Sequence, residues 1–173
     1  MIKVRNNSSL NTIYGCPYNA DMTLNAAWRK DNIVSMTPPY KMWLAWATDT
    51  EVTEILVNRA ALPNFQKAFN NVVAKATQLA KQQFTTAAAI LHEAHLDLFG
   101  GSFNFRAQRG SAVISYHAYG AAIDIAPTQN EQGQKPTIPL WFVQCWTSAG
   151  FTWGGTFHGS RVDGMHFELH KPS

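Results

Sequence analysis

Hydrophobic residues recur at steps of three and four between positions 62 and 84 of the chain. The residues that follow this spacing are Leu62, Phe65, Phe69, Val72, Val73, Ala76 and Ala80. Such spacing places them on one face of a helix, which predicts an amphipathic helix over "LPNFQKAFNNVVAKATQLAKQQF". Its role is to pack against the core.

Two further helices are predicted from their boundary residues. The alanine-rich stretch "TTAAAILHEAHLDLFGG" has Thr86 as an N-cap and Gly100 as a C-terminal stop. The stretch "PLWFVQCWTSAG" is opened by Pro139 and closed by Gly150. Both stretches are rich in apolar residues, which a buried helix face requires.

Short alternating segments in the second half of the chain predict strands. They are the Phe103 and Phe105 alternation, "AVISY", "AAIDI" and "MHFEL", separated by turns that contain glycine. Residues 1–40 are rich in Asn, Ser and Pro, and we expect them to form an extended segment that wraps over the core. Helices followed by a small antiparallel sheet predict an α+β domain that spans residues 1–173, with its motifs in residues 98–170.

Composition and charge narrow the class of protein. Of 173 residues, 46% are hydrophobic and 14% are charged, which is typical of one globular domain. The net charge is +3, but Lys and Arg are scattered, so we expect no nucleic-acid partner. No stretch reaches the ~20 apolar residues of a membrane span, and no signal peptide is evident at the N-terminus. We expect a monomer made in the cytoplasm, with Cys16 and Cys145 as two free, buried thiols.

Two polar residues interrupt the apolar run "SYHAYGAAIDIAP". His117 and Asp124 are seven residues apart, and an odd step cannot place both on one face of a strand. The chain must therefore turn between them, and Gly120 is the natural place. Asp124 lies between two isoleucines, so its carboxylate is half-buried and must be paired or bind a metal ion.

A second polar cluster follows near the C-terminus, in "RVDGMHFELH". Alternation places His166, Glu168 and His170 on one face of a strand, with Asp163 three residues before the first of them. Two histidines and a carboxylate form a typical catalytic zinc site, and a further acid beside it can act as a base. A half-buried histidine can equally be satisfied by hydrogen bonds in a core, and from the residues alone both interpretations remain open.

These two segments form a pair of motifs, SxHxxGxAxD followed by (D/E)xxH. The matching residues are Ser115, His117, Gly120, Ala122, Asp124, Asp163 and His166. The pair resembles that of the VanY and D-Ala-D-Ala carboxypeptidase group of zinc peptidases, which includes the L-alanyl-D-glutamate endopeptidases of phage endolysins. The segments "GFTWGG" and "GGSFNFRAQRGS" are similar to phage and prophage members. The resemblance covers residues 98–170 well and residues 1–97 loosely.

The resemblance implies roles for five residues and a type of fold. It makes His117, Asp124 and His166 the ligands of one zinc ion per chain and Asp163 the general base. Arg106 would support the negative charge that develops on the scissile carbonyl. Relatives commonly have proline after this arginine, whereas this chain has alanine there. The implied fold is Hedgehog/DD-peptidase-like.

Other polar and aromatic residues are assigned supporting roles. Ser115 lacks the Gly-x-Ser-x-Gly elbow of a nucleophile, so we expect it to orient the site or the substrate through a hydrogen bond. Tyr119 and Trp153 are candidates for the walls of a substrate cleft. Glu168 is a candidate hydrogen-bond acceptor behind a ligand histidine. His158 lies on a glycine-rich loop, where contact with substrate and simple exposure to solvent are the two open interpretations.

Together these features predict a zinc-dependent peptidoglycan hydrolase that cleaves an amide in the stem peptide. The expected bond is L-alanyl-D-glutamate, and the expected biological role is that of a phage or prophage endolysin. Such a protein would be made in the host cytoplasm and act on the wall after release, without a separate wall-binding domain. A D-Ala-D-Ala carboxypeptidase or dipeptidase is the alternative. A non-catalytic, zinc-stabilised binding or signalling module, like the Hedgehog signalling domain, is a remote one.

Overall fold

The computed structural model describes residues 7–173, which form a mixed α+β structure as predicted. The helices are α1 Ser8–Tyr14, α2 Ala26–Asn32, α3 Leu62–Gln83, α4 Ala87–Glu93 and α5 Leu140–Thr147. The strands are β1 Ile33–Met36, β2 Trp43–Leu44, β3 Ala47–Glu51, β4 Ile55–Asn58, β5 Leu98–Gly101, β6 Ala122–Ile125, β7 Thr152–Trp153 and β8 His166–Glu168. Within the described residues, no helix is both long and apolar enough to cross a membrane.

The main sheet places strand β6 near its centre. Its order is β3-β2-β5-β6-β8-β7, and its pairs are antiparallel except for the parallel pair β2 and β5. On β6, Asp124 lies opposite Gly101 of β5 and His166 of β8. Strands β1 and β4 form a separate antiparallel ribbon. The register of the main sheet therefore places Asp124 directly beside His166.

The predicted long helix is confirmed as α3, and it builds the core behind β8. Phe65 and Phe69 are buried and meet the ring of Trp146 from α5, with centroids 6.0 Å and 5.1 Å away. The same indole lies 5.3 Å from the ring of Phe167 on β8. The contacts of Phe65 and Phe69 are edge-to-face, and such contacts add to the stabilisation from the area that the rings bury. The aromatic cluster fixes the position of the strand that carries His166.

The start of α4 is predicted correctly, but its end is not. The Thr86 side chain accepts a hydrogen bond from the backbone N–H of Ala89 at 3.1 Å. The helix ends at Glu93, and His95 then takes a left-handed φ of 56°. Gly100 is not a helix stop and lies within β5. A Cβ there would lie 2.9 Å from the Cβ of Asp124, so the glycine allows two strands to approach closely.

The last helix and two of the predicted strands are confirmed. Helix α5 follows Pro139 directly, and Gly150 lies just beyond its end with a φ of +97°. Segments "AAIDI" and "MHFEL" supply β6 and β8. The Phe103 and Phe105 alternation and "AVISY" do not form strands, since only an isolated bridge joins Ala107 and Ile114. Instead, the backbone there bonds across loops, as from Phe103 N–H to the carbonyl of Leu56 at 3.3 Å.

The prediction of an extended segment over residues 1–40 is wrong for residues 7–40, the part that the structure describes. Residues 1–6 lie outside the described residues, while residues 7–40 contain α1, α2 and β1. Side chains of Asn7 and Asn25 cap the two helices by accepting backbone hydrogen bonds from Leu10 and Trp28. Strands β1 to β4 also precede α3, so the strands are not confined to the second half of the chain.

The two cysteines are free, but they are not both buried. Cys145 is buried on α5, whereas Cys16 is exposed in the loop after α1. The Cys16 thiol lies 3.4 Å from the carbonyl of Tyr18. The prediction of two free thiols is therefore confirmed, and that of two buried thiols is wrong for Cys16.

Candidate metal centre

His117 is presented by a short 3₁₀ turn that Gly120 terminates. The turn spans Tyr116–Tyr119, and Gly120 follows it in the left-handed region with a φ of +66°. A Cβ at this position would lie 2.7 Å from the backbone nitrogen of Asn58. Both the conformation and the close approach therefore require glycine. The chain turns where the sequence predicts it, and Asp124 follows on β6.

Three side chains from different elements converge on one point. The Asp124 Oδ1 atom lies 3.2 Å from His117 Nε2 and 2.9 Å from His166 Nδ1. The two histidine nitrogens are 3.2 Å apart. One potential ligand atom from each residue lies within 4.8 Å of the others. The structure thus brings together the three residues that the sequence predicts as a ligand set.

Hydrogen bonds on the far side of each ring fix which histidine nitrogen faces this point. His117 Nδ1 lies 2.7 Å from the carbonyl oxygen of Ser102, and His166 Nε2 lies 3.0 Å from Oε2 of Glu168. A carbonyl and a carboxylate only accept hydrogen bonds, so these two nitrogens must carry the protons. In the neutral rings, His117 Nε2 and His166 Nδ1 then present lone pairs beside the Asp124 carboxylate. This set of donors fits a zinc ion and its usual outer partners.

The electrostatics of the cluster favour a positive charge at its centre. Burial alone raises the pKa of Asp124, but neighbouring His117 and His166 outweigh it and hold that pKa well below its usual range. Burial lowers the pKa of His166, but the carboxylates of Asp124 and Glu168 raise it to about 10. A proton on His166 therefore competes with a metal ion for the same position.

Asp163 lies beside the cluster and has an oxygen that no neighbour satisfies. It precedes β8, and its carbonyl accepts the backbone N–H of His166 at 3.2 Å. Its Oδ1 atom is buried and has no hydrogen-bond partner among residues 7–173. Burial raises the pKa of Asp163, and the neighbouring His166 partly offsets this increase. A carboxylate with a raised pKa and a free oxygen is suited to accept and release a proton.

A cleft of about 840 Å³ opens over the cluster, and we call it the main cleft. Its volume falls within the range of small-ligand sites. It is lined by residues that include Arg106, Arg109, Ser115, His117, Asp124, Gln132, His158, Ser160, Arg161, Asp163, His166 and Glu168. The structure therefore brings Arg106, Ser115, Asp163 and Glu168 to the same cleft as the three potential ligands.

Ser115 and Glu168 contact the histidines in the manner that the sequence predicts. The Ser115 hydroxyl accepts a hydrogen bond from the backbone N–H of His117 at 3.3 Å, and its side chain is buried. Glu168 is also buried, and its second oxygen lies 3.3 Å from Nε2 of His170. Both residues hold a histidine in place from outside the cluster. The Arg106 guanidinium donates to the carbonyl of Ala107 at 3.1 Å.

Two residues predicted to wall the cleft lie elsewhere. The Tyr119 ring is fully buried, and its hydroxyl donates to Asn11 Oδ1 at 2.6 Å, on the side of the N-terminal helices. Trp153 is half-buried and stacks on Phe167, while its indole N–H donates to the carbonyl of Gly164 at 2.8 Å. Neither residue lines the main cleft. The apolar surface of both rings is buried against the core instead.

The structure also shows contacts that sequence reasoning missed. The carbonyl of Ser102 has no side-chain signature, so no sequence pattern reveals it as the partner of His117. His170 continues the hydrogen-bonded row beyond Glu168, and its Nδ1 atom lies 2.6 Å from the hydroxyl of Tyr116. The alternation that groups positions 166, 168 and 170 on one face was a usable signal for this extension.

Comparison with known proteins relates part of the chain to a family. Residues 109–169, about a third of the chain, match the family model described as D-alanyl-D-alanine carboxypeptidase. No curated protein and no solved structure gives a significant match. The matched span contains His117, Asp124, Asp163 and His166, while Arg106 lies just before it. Over these residues the chain is similar to that family.

Proposed function

We propose that this protein is a zinc-dependent peptidoglycan hydrolase that cleaves an amide bond in the stem peptide. The observation that carries the proposal is the convergence of two histidine lone pairs and one carboxylate beside the unpartnered oxygen of Asp163. Zinc peptidases require such a set of three ligands and a separate base. The family match over residues 109–169 supports the same class of reaction.

In this proposal His117 Nε2, Asp124 Oδ1 and His166 Nδ1 hold one zinc ion. When bound, the ion supplies Lewis acidity that polarises the scissile carbonyl and makes water a stronger acid. Glu168 and the carbonyl of Ser102 keep the proton of each histidine on the nitrogen that faces away from the ion. Ser115 holds the turn that presents His117.

Asp163 moves the proton that the reaction requires. A water oxygen attacks the carbonyl carbon, and the Asp163 carboxylate accepts the proton that the water gives up. The bond between the carbonyl carbon and the nitrogen then breaks, and Asp163 delivers that proton to the leaving amine. Its raised pKa helps it to hold the proton between the two steps.

Arg106 is proposed to stabilise the negative charge that develops on the carbonyl oxygen. The side chain lines the main cleft beside His117 and Asp124. A guanidinium is always charged and presents donors in a fixed plane, which suits an oxyanion. One donor of the Arg106 guanidinium bonds the carbonyl of Ala107, and the remaining donors are available for this role.

We further propose that the cleaved bond is L-alanyl-D-glutamate and that the protein acts as a phage or prophage endolysin. The proposed fold type is Hedgehog/DD-peptidase-like. Cleavage of an internal bond is supported by a second cleft, which meets the main cleft at His117 and Asp124 and continues beyond them. The endolysin role is supported by the similarity of "GFTWGG" and "GGSFNFRAQRGS" to phage members. The net charge of +3 favours attraction to an anionic cell wall.

The description of the matching family favours a second candidate, a D-Ala-D-Ala carboxypeptidase. This reaction uses the same residues and differs only in the bond that is placed over the zinc ion. A carboxypeptidase releases one terminal residue, whereas an endopeptidase needs room for the chain on both sides of the metal. Product analysis therefore separates the two candidates.

The experiment is a digest of purified peptidoglycan with the zinc-loaded protein, followed by mass spectrometry. New N-terminal D-glutamate is the expected result, and free D-alanine would establish the carboxypeptidase instead. Asp163→Asn should give far less product, while Asp49→Asn, an exposed aspartate on β3, is the matched control and should cleave normally. If zinc-loaded protein released nothing from any wall preparation, the proposed function would be wrong.

A further inference from the structure

Two clefts meet at the metal ligands and extend to opposite sides of β6. The second cleft has a volume of about 420 Å³ and shares Arg106, His117 and Asp124 with the main cleft. Its other walls belong to β2, β4, β5 and the loops next to these strands, including the β2–β3 turn that carries Trp46, whereas the main cleft extends over β8. Because β6 lies between β5 and β8 in the sheet, a bound chain can cross the metal ligands from one side to the other.

Part of the lining of the main cleft carries positive charge. We call it the arginine arm, and its residues are Arg109, Gln132, Ser160 and Arg161. Arg109 and Arg161 are exposed, and neither forms an ion pair with an acid among residues 7–173. Two guanidinium groups that form no ion pair within the described residues favour a ligand that brings its own carboxylate.

The second cleft has the opposite character, and we call its outer part the tryptophan arm. Its residues are Leu44, Trp46, Glu54, Leu56, Phe99, Gly100, Gly101 and Phe103. Trp46 is 69% exposed, and of the four exposed large hydrophobic residues in the described chain it alone lines either cleft. An indole face of this kind binds apolar groups and the flat faces of sugars. Glu54 gives the arm a negative charge, which disfavours a carboxylate.

The position of Asp163 sets the direction in which a substrate lies. It lines the main cleft and is absent from the walls of the tryptophan arm. A group that delivers a proton to the leaving nitrogen must lie on the nitrogen's side of the scissile carbonyl. The residue that supplies the leaving amine therefore extends toward the arginine arm, and the acyl part extends toward Trp46.

Resting on the proposed function, we infer a substrate with two distinct halves. The residue that supplies the leaving amine carries a free carboxylate, which Arg109 and Arg161 bind. The acyl half carries an apolar or sugar group, which packs on Trp46. In a stem peptide cut between L-alanine and D-glutamate, the glutamate supplies the carboxylate, and the glycan is attached on the acyl side.

The test uses four synthetic stem peptides with the zinc-loaded protein. They carry either D-glutamate with its free α-carboxylate or the corresponding amide, each with and without the N-terminal muramic acid. The double variant Arg109→Gln and Arg161→Gln should raise KM about tenfold or more for the carboxylate substrates and much less for the amides. Trp46→Ala should raise KM by a similar factor only for substrates that carry the sugar. Equal effects on all four substrates would overturn the inference.

Matched controls separate these effects from general damage to the protein. Arg59→Gln removes an exposed arginine, and Leu140→Ala removes a large side chain that is 70% exposed; both lie outside the two clefts. Each should leave KM within twofold of the wild-type value for every substrate. Thermal unfolding of each variant confirms that the fold is retained.

Binding of the two halves provides a measurement that does not depend on turnover. Calorimetric titration of the zinc-loaded wild type with an acyl-half fragment and with a leaving-half fragment gives two affinities. Trp46→Ala should weaken only the first, and the double arginine variant only the second. The reverse pattern, or no change in either affinity, would overturn the inferred direction. Because the fragments need not be cleaved, this result is decisive even if no peptide is hydrolysed and the proposed function fails.

Discussion

His166 and Glu168 form a hydrogen-bonded pair on one face of β8, with Nε2 and Oε2 3.0 Å apart. The pair determines which nitrogen of His166 faces Asp124. Both side chains are buried, so little water competes for the bond. A carboxylate behind a ligand histidine fixes the orientation of the ring and makes it a stronger ligand.

Glu168→Gln should weaken zinc binding about 10- to 100-fold, which is typical of the loss of a carboxylate partner behind a ligand. The amide is neutral and can present its NH₂ group to the ring, so the proton of His166 is no longer held on Nε2. Competition with a chromophoric chelator measures the affinity. Glu51→Gln, an exposed glutamate on β3, is the control and should bind zinc like the wild type. Equal affinities for all three proteins would exclude this role of Glu168.

Asp163→Asn should reduce kcat about 10²- to 10⁴-fold, the usual contribution of a general base, and leave the zinc content unchanged. The asparagine has the same shape but cannot accept the proton. Steady-state kinetics and elemental analysis on the same samples measure both quantities. Wild-type activity in this variant would exclude Asp163 as the base.

The same substitution should stabilise the protein after zinc has been removed with a chelator. Burial raises the pKa of Asp163, so the folded state favours the neutral carboxyl. Ionisation of Asp163 therefore lowers the free energy of unfolding at pH values above the raised pKa. Below the ordinary pKa of aspartate the carboxyl is neutral in both states, and the free energy of unfolding is unaffected. Asp163→Asn should have a higher Tm than the wild type at neutral pH, and the difference should disappear on acidification. A lower Tm at neutral pH would contradict the sign of the shift.

Gly154→Ala should disturb Asp163 and His166, the proposed base and a proposed ligand, together. A Cβ at Gly154 would lie 2.5 Å from the carbonyl oxygen of Asp163 and 3.2 Å from the Cβ of His166. Relief of such a clash in a packed site costs about 1–3 kcal/mol of stability, and both kcat and zinc affinity should fall.

Gly159→Ala is the control for this substitution. Its Cβ would meet nothing within 4 Å, although its φ of +62° makes alanine cost about 1–2 kcal/mol. It should lose stability but keep kcat and zinc affinity. The chemical denaturation midpoint, kcat and zinc affinity of both variants separate crowding at the site from backbone strain. Similar kinetic losses in the two variants would contradict the role of Gly154.

Tyr119→Phe should lower stability by about 1 kcal/mol and leave kcat/KM unchanged. Its hydroxyl donates to Asn11 in the core and does not face the main cleft, so the substitution removes one buried hydrogen bond. Denaturant unfolding and steady-state kinetics measure the two effects. A large rise in KM without loss of stability would place Tyr119 in the substrate site after all.

The sequence predicts those parts of the structure whose side chains carry a periodic or local signal. Helix α3 is long enough for its apolar face to repeat, and Gly120 marks the turn that the odd spacing of His117 and Asp124 requires. Helices α1 and α2 have only seven residues each, too few for a repeating apolar face. Their asparagine caps were the available signal.

Within the candidate site, too, the sequence predicts the residues whose side chains carry a signal and misses the others. His117, Asp124 and His166 stand out as polar residues in apolar segments, and their motifs resemble a known pair. Backbone partners such as the carbonyl of Ser102 are invisible in a sequence, because every residue has one. The prediction for Tyr119 is wrong because an aromatic ring close to His117 in the sequence fits either a cleft wall or a core. Only the packing against the N-terminal helices decides between them.

The most direct measurement is the zinc content of the purified protein after dialysis against metal-free buffer, compared between the wild type and His166→Ala. If His117, Asp124 and His166 form the metal centre, the wild type retains about one zinc ion per chain. His166→Ala should retain little or none while keeping its circular dichroism spectrum. A wild-type protein without zinc, or a folded His166→Ala variant with one equivalent, would contradict the proposed metal centre.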